Sequence, residues 1–293
     1  MILKPLPDRP IDQITASVIR EVKRVVDGLG LETYLVGATA RIILLEHVHG
    51  LNVGRATRDI DFAFAVESWD QFQAIKTRLI ETTKFEEVKG VAQRLKFKVE
   101  GLHHQFVVDL IPFGGIESAT SKISWPPDMN IVMNVAGYQD AFASAVAVEI
   151  APELVISVAS IPGIAVLKLF AWVDRGQADP KDAIDLLTLF RQYHEAGNRD
   201  RIYEDAIEAM EAAGYDIELA GSWLLGSDAY TVSSLGTHSQ LATLLTNPAL
   251  VDRLVIDMSR AIRMRDDAVD YSRTLLDQFL IGFNQTQENI GTK

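Results

Sequence analysis

The stretch Arg58-Asp59-Ile60-Asp61-Phe62-Ala63-Phe64 constrains this chain more than any other. Acidic and apolar residues alternate, and a strand sends alternate side chains to opposite faces, so Asp59 and Asp61 share one face while Ile60, Phe62 and Phe64 anchor the other. Two like charges side by side raise each other's pKa unless a cation lies between them. A divalent ion relieves the repulsion, and Mg²⁺ suits hard carboxylate oxygens and the phosphates of a substrate. The same pattern also serves as a plain solvated strand face, so the neighbouring sequence has to decide.

The chain has 293 residues, 48% hydrophobic and 23% charged, enough for one large or two smaller domains with an ordinary core. It has no Cys, which excludes disulfides, thiolate metal sites and Cys nucleophiles. No apolar run reaches the length of a membrane span, and the start Met-Ile-Leu-Lys-Pro-Leu-Pro lacks the apolar stretch of a secretory signal, so a cytoplasmic location and no membrane partner are expected. The net charge is −12, and residues 195 to 293 hold 16 Asp/Glu against 8 Lys/Arg, leaving −4 for the rest. That balance opposes indiscriminate binding to nucleic acid.

Helical spacing of Ile11, Ile14, Val18, Ile19, Val22, Val25 and Val26 predicts a helix from Pro10 to about Gly28. A short strand, Thr33 to Val36, then runs into Gly37-Ala38-Thr39-Ala40-Arg41, and the pattern turns helical from Thr39 to about His49. A strand, a Gly turn and a helix opening with a hydroxyl residue outline a phosphate site of free backbone N–H groups. Gly37 serves equally as a tight turn and Thr39 as an N-cap. After a loop at 50–57 and the acidic strand, Ser68 and Gln71 form a capping-box pattern for a helix to about Thr82. Strands are expected at Gln93–Glu100 and Gln105–Ile111, joined by a turn at Gly101–His104. Leu95, Phe97 and Val99 face the core, which gathers Arg94, Lys96 and Lys98 on the other face, and Asp109 points away from Phe106, Val108 and Leu110.

Past a loop rich in Pro and Gly, Phe142–Ile150 and Leu154–Val158 read as a hairpin. A helix starting at Ser160-Ile161-Pro162 carries Lys168 to about Asp174, and the next, from Asp179 or Pro180 to about His194, carries Asp182 and Asp185. Helices are expected at about 200–213, 216–226, 235–246, 248–264 and 266–284. Arg260, Arg263 and Arg265 form a small basic cluster, whose simplest use is salt bridges to Asp257, Asp266 and Asp267 and whose alternative use is to dock an RNA end or the tail of the nucleotide. The six His residues show no metal-ligand spacing.

Three segments together, Leu-Val-Gly-Ala-Thr-Ala at 35–40, Ala-Thr-Arg-Asp-Ile-Asp-Phe-Ala-Phe at 56–64 and Phe-Val-Val-Asp-Leu-Ile-Pro-Phe at 106–113, resemble the signature of the DNA polymerase beta type nucleotidyltransferase superfamily. The stretch Val158–Leu187 is similar to the AbiEii-like toxins of type IV toxin-antitoxin systems, in which a Lys-bearing helix precedes an acidic residue at the head of the next helix. The resemblance covers about residues 33 to 190. It implies an α/β protein: a minimal mixed-sheet catalytic domain at 1–158 and a helical domain at 159–293 closing the nucleotide cleft.

Carried over by residue, the resemblance assigns Asp59, Asp61 and Asp109 to catalysis and to two Mg²⁺ ions. Gly37, Ala38, Thr39, Arg58, Lys168 and Asp182 fall to the nucleotide, with Asp185 close enough to compete with Asp182. Ala38 stands where the family often carries Gly or Ser. The residue types suit the chemistry: moving a nucleoside monophosphate from an NTP to a hydroxyl requires charge neutralisation on the α-phosphate and the departing pyrophosphate, for which Lys168 and the Arg94, Lys96 and Lys98 face are the available cations, a solvated sheet face being the other use of the last three. The acceptor implied by the family is the 3′ end of tRNA. A protein hydroxyl or a small molecule such as an aminoglycoside is the alternative, as is a nucleotide-binding partner of a cognate antitoxin without turnover.

Overall fold

A computed structural model describes the chain apart from residues 54–56, 58, 100–104, 177 and 292–293, and apart from the side chains of 287–291. It divides into two units, Met1–Ser160 and Ile161–Lys293. The turn expected at Gly101–His104 lies outside the described residues.

The first unit is α/β. In chain order it runs β1 (Ile2–Leu3), α1 (Gln13–Gly28), β2 (Glu32–Val36), α2 (Gly37–Ile42) with a π-helical continuation over Ile43–Val48, β3 (Asp59–Val66), α3 (Trp69–Glu81), β4 (Phe85–Glu87), β5 (Arg94–Phe97), β6 (Phe106–Gly114), β7 (Lys122–Ser124), β8 (Val132–Asn134), α4 (Tyr138–Ala143), β9 (Val146–Ala151) and β10 (Leu154–Val158). Eight strands form one mixed sheet in the order β1-β9-β10-β2-β3-β6-β5-β4, while β7 and β8 pair apart as a hairpin. The centre of the sheet is β2, antiparallel to β3, which is parallel to β6, which is antiparallel to β5.

Local signals explain most of these elements. Asp12 caps α1 by accepting from the N–H groups of Ile14 and Thr15, and the helix buries Ala16, Val18, Ile19, Val22, Val25 and Val26 along one stripe. Ser68 caps α3 by accepting from the Gln71 N–H, while the Gln71 side chain reaches back to the N–H of Glu67. In β3 the apolar set Ile60, Phe62 and Phe64 is fully buried, and Asp59 and Asp61 lie on the more accessible face, as the alternation predicts. Leu95, Val108 and Leu110 fill the core beside them.

Two expectations fail locally. Phe142 belongs to α4, not to a strand: its ring packs at 5.4 Å from Tyr34 and 5.7 Å from Phe113, and the strand begins only at Val146. The stretch between β6 and α4, which reads as an irregular loop, contains the β7–β8 hairpin.

The second unit is helical: α5 (Ile161–Arg175), α6 (Lys181–Gln192), α7 (Arg199–Asp205), α8 (Ile207–Ala212), α9 (Ile217–Val232), α10 (Leu235–Leu245), α11 (Pro248–Ser259), a 3₁₀ turn over Arg260–Ile262, and α12 (Ala268–Gly291). Helices α9 and α12 cross with their backbones nearly touching, since a Cβ at Gly226 would overlap the Phe279 carbonyl and one at Gly282 the Trp223 carbonyl. Phe279 also stacks on Phe190 of α6 at 4.9 Å. Among the described residues no helix is long and apolar enough to cross a membrane.

Candidate active site

The sheet register sets the geometry of the acidic cluster. Asp61 of β3 lies opposite Val36 of β2 on one side and Asp109 of β6 on the other. Asp61 and Asp109 are therefore register partners on adjacent parallel strands, where side chains at one level share a face. Asp59 lies on the same face two residues earlier in β3.

Gly37, the residue after Val36, closes the site from the β2 side. It has φ +68°, and an ideal Cβ there would overlap Asp61 Oδ2 and come within 2.9 Å of Asp61 Cγ. Only glycine meets both conditions, which explains the residue at the start of α2. Ala38 and Thr39 follow and are both buried. The Thr39 hydroxyl donates to the Asp59 carbonyl at 2.8 Å, tying the helix to the start of the acidic strand.

Asp109 is paired with a cation of the protein itself. Arg94 of β5 lies directly opposite Asp109 in the antiparallel register. Its Nε donates to Asp109 Oδ1 and its Nη2 to Asp109 Oδ2, each at 2.7 Å, a bidentate fork that occupies both carboxylate oxygens. The hydrogen bonds to Asp109 hold the guanidinium more firmly charged than usual against its partial burial, and the charges of Asp109, Asp59 and Asp61 add to this. Of the other face cations, Lys98 lies just beyond β5 and pairs with Glu86 at 2.6 Å.

Asp59, Asp61 and Asp109 offer hard oxygen donors only, a set that suits Mg²⁺ in charge and chemistry. Among the described residues, no three His, Asp or Glu side chains are already gathered as a metal cage. The donor types suit the ion, and Arg94 already holds both oxygens of Asp109. Arg58 lies outside the described residues.

In the second unit Lys168 and Asp182 come together. Nearly every residue of α5 from Ile161 to Phe170 is buried, Lys168 included, so its ammonium must find partners inside the protein. It reaches Asp182 Oδ1 at 2.8 Å and Asp185 Oδ2 at 2.6 Å. Both acids lie one turn apart on α6, fully buried. Arg175, at the end of α5, adds a fork onto Asp182, Nε at 2.6 Å and Nη2 at 3.0 Å. Burial pushes the Asp182 carboxyl up, but the hydrogen bonds from Arg175 and the charges of Lys168 and Arg175 outweigh it and hold the group at about 2. Two buried acids and two bases thus form a charge-balanced network. Two arginines of this unit's cluster form salt bridges, Arg260 with Asp257 at 3.2 Å and Arg265 with Asp267 at 2.8 Å.

Residues 22–280 match the family model described as "Nucleotidyl transferase AbiEii toxin, Type IV TA system". The chain belongs to this family. It is therefore a nucleotidyltransferase, and the AbiEii match extends well beyond the segments that carry the sequence resemblance. No curated protein matches the chain. Among solved structures it is similar to an antigenic nucleotidyltransferase-like protein from Paracoccidioides brasiliensis, with TM-score 0.41, 17% identity, and 71% of this chain and 94% of that one covered. It is also similar to ANT(2'')-Ia in complex with adenylyl-2''-tobramycin, with TM-score 0.39, 12% identity and coverages of 71% and 97%. A third is the E. coli MS115-1 CdnC:HORMA-deltaN complex, with TM-score 0.33, 13% identity and coverages of 94% and 93%.

The Arg94–Asp109 pairing is what sequence reasoning missed. Arg94 reads there as one of three cations on a strand face, and only the β5–β6 register singles it out.

Proposed function

We propose that this AbiEii-family chain transfers a nucleoside monophosphate from an NTP to a hydroxyl acceptor in a reaction dependent on divalent cations, with Asp59, Asp61 and Asp109 as the metal-holding acids. The observation that carries the reading is the register pairing of Asp61 with Asp109 beside the Gly37 turn. Bound Mg²⁺ would supply the charge that neutralises the α-phosphate and the departing pyrophosphate.

The chain's own residues divide the remaining work. Asp109 is the acid assigned to the acceptor side, where it helps remove the proton of the attacking hydroxyl. Gly37, Ala38 and Thr39 form the turn that approaches the nucleotide phosphates, glycine permitting the close backbone approach. In the second unit Lys168 and Asp182 are the nucleotide-binding candidates, and a phosphate contact by Lys168 requires its ammonium to leave one of its two carboxylates.

The 3′ end of tRNA is the acceptor this reading places first, with a protein hydroxyl and an aminoglycoside behind it, and a cognate antitoxin is the partner the family context implies. Incubation with labelled NTPs, Mg²⁺ and either total tRNA, protein alone or an aminoglycoside tests it directly. Label on tRNA supports the first acceptor, label on protein or aminoglycoside moves the reading to that class, and no transfer in any mixture overturns it.

A further inference from the structure

On the proposed reading of the acids, Arg94 and a divalent ion would compete for one carboxylate. Both oxygens of Asp109 accept from Arg94 at 2.7 Å, and Asp109 is also the acid aligned with Asp61 across the β3–β6 pair. A divalent ion bound between Asp61 and Asp109 would sit within a few ångströms of the guanidinium, at a half-buried site where like charges repel strongly. The fork and the metal therefore cannot both hold Asp109 at full strength.

We propose that Arg94 is the built-in counter-cation of this cluster: it holds Asp109 in place without metal, gives it up when a divalent ion binds, and then turns its fork to a phosphate of the nucleotide. The inference rests on the reading of Asp59, Asp61 and Asp109 as metal-holding acids. Three features carry it. Arg94 is the register partner of Asp109, so the sheet itself places it there. Its side chain is about one-third exposed while that of Asp109 is 14% exposed, so the arginine can swing out and the acid cannot follow. A guanidinium fork fits a phosphate as it fits a carboxylate, so release from one leaves it suited to the other. In the metal-free protein Arg94 on this view positions Asp109, at the expense of metal affinity.

The test is Mn²⁺ binding to the full chain, followed by the electron paramagnetic resonance signal of free Mn²⁺, for the native protein, Arg94→Ala and Arg94→Lys. Losing a charge-assisted fork should tighten Mn²⁺ binding about tenfold in Arg94→Ala. Arg94→Lys, which keeps the charge without the fork, should fall between. Binding of the non-hydrolysable α,β-methylene analogue of ATP in saturating Mn²⁺ should move the other way and weaken in both variants. Far-UV circular dichroism establishes that each variant is folded, and Arg94→Lys carries the test if Arg94→Ala does not fold. Equal Mn²⁺ affinity in native and variant proteins, or weaker affinity in the variants, overturns the counter-cation role and leaves the proposed reaction standing. An absence of Mn²⁺ binding in the native protein and in every folded variant overturns both.

Discussion

The carboxylate of Asp61 occupies the space that a side chain at Gly37 would fill: an ideal Cβ there overlaps Asp61 Oδ2 and lies 2.9 Å from Cγ. The turn after β2 and the acid of β3 are thus one fitted unit, and any side chain at Gly37 would displace that acid. At Gly37→Ala two costs combine, left-handed backbone strain at φ +68° and displacement of Asp61. Gly90→Ala provides the control, since Gly90 has φ +79° with nothing within 4 Å of its added Cβ. Thermal unfolding should show Gly90→Ala costing about 1 kcal/mol from strain alone. Gly37→Ala should cost about 1–3 kcal/mol more, from the forced overlap, and lose nucleotidyl transfer as well. Equal costs at the two positions would mean that Asp61 moves aside freely.

Asp61→Asn keeps the shape of the side chain and removes its charge. It should lower transfer by at least about a hundredfold, the scale on which loss of one charge-stabilising group acts in a preorganised site. The far-UV circular dichroism spectrum should not change, because Asp61 lies on the accessible face of β3 while Ile60 and Phe62 hold the core. Transfer that survives the substitution would remove Asp61 from the catalytic set.

Lys168 answers to a different measurement. Replacing it with Met leaves Asp182 and Asp185 buried with one fewer cation, which should destabilise the protein by about 3–5 kcal/mol in denaturant unfolding. Adding Asp182→Asn and Asp185→Asn to the same chain should restore much of that loss, because the stranded charge is then gone. Arg175→Gln should cost less than Lys168→Met, since the Arg175 side chain is half exposed.

The network also sets an acid limit. Asp182 is held at about 2 in the folded chain against an ordinary 3.8, so its contribution to stability is fully present above about pH 5 and is lost as pH falls through 2. The shift corresponds to about 2 kcal/mol. Unfolding free energies measured from pH 5 down to 2.5 should fall less steeply for Asp182→Asn than for the native chain. Parallel slopes would show that the acid sensitivity resides in other carboxylates.

Much of this arrangement is legible in the sequence because it follows from side-chain alternation. The pattern of Asp59 and Asp61 against Ile60, Phe62 and Phe64 fixes which face of β3 is wet, and Leu95, Val108 and Leu110 do the same for the strands beside it. Gly37 is visible as a turn residue, although the reason for it, the Asp61 carboxylate against its Cα, is a tertiary contact. Register is where the sequence falls silent. Nothing local tells that Arg94 rather than Lys96 faces Asp109, since a shift of two residues preserves the same alternation. Phe142 misleads for a related reason: an apolar stretch reads as strand, and only the aromatic cluster with Tyr34 and Phe113 explains its place on a helix.

The parallel pairing of β3 with β6 has a developmental side. Its two key acids are distant along the polypeptide, and β4 and β5 are made between them, so no early fragment of the growing chain can assemble the cluster. A ribosome-bound product ending before Phe106 would have the glycine turn and one pair of acids but neither Asp109 nor the completed strand beside it. On the proposed assignment of Asp109, transfer becomes possible only after most of the sheet has been synthesised and paired.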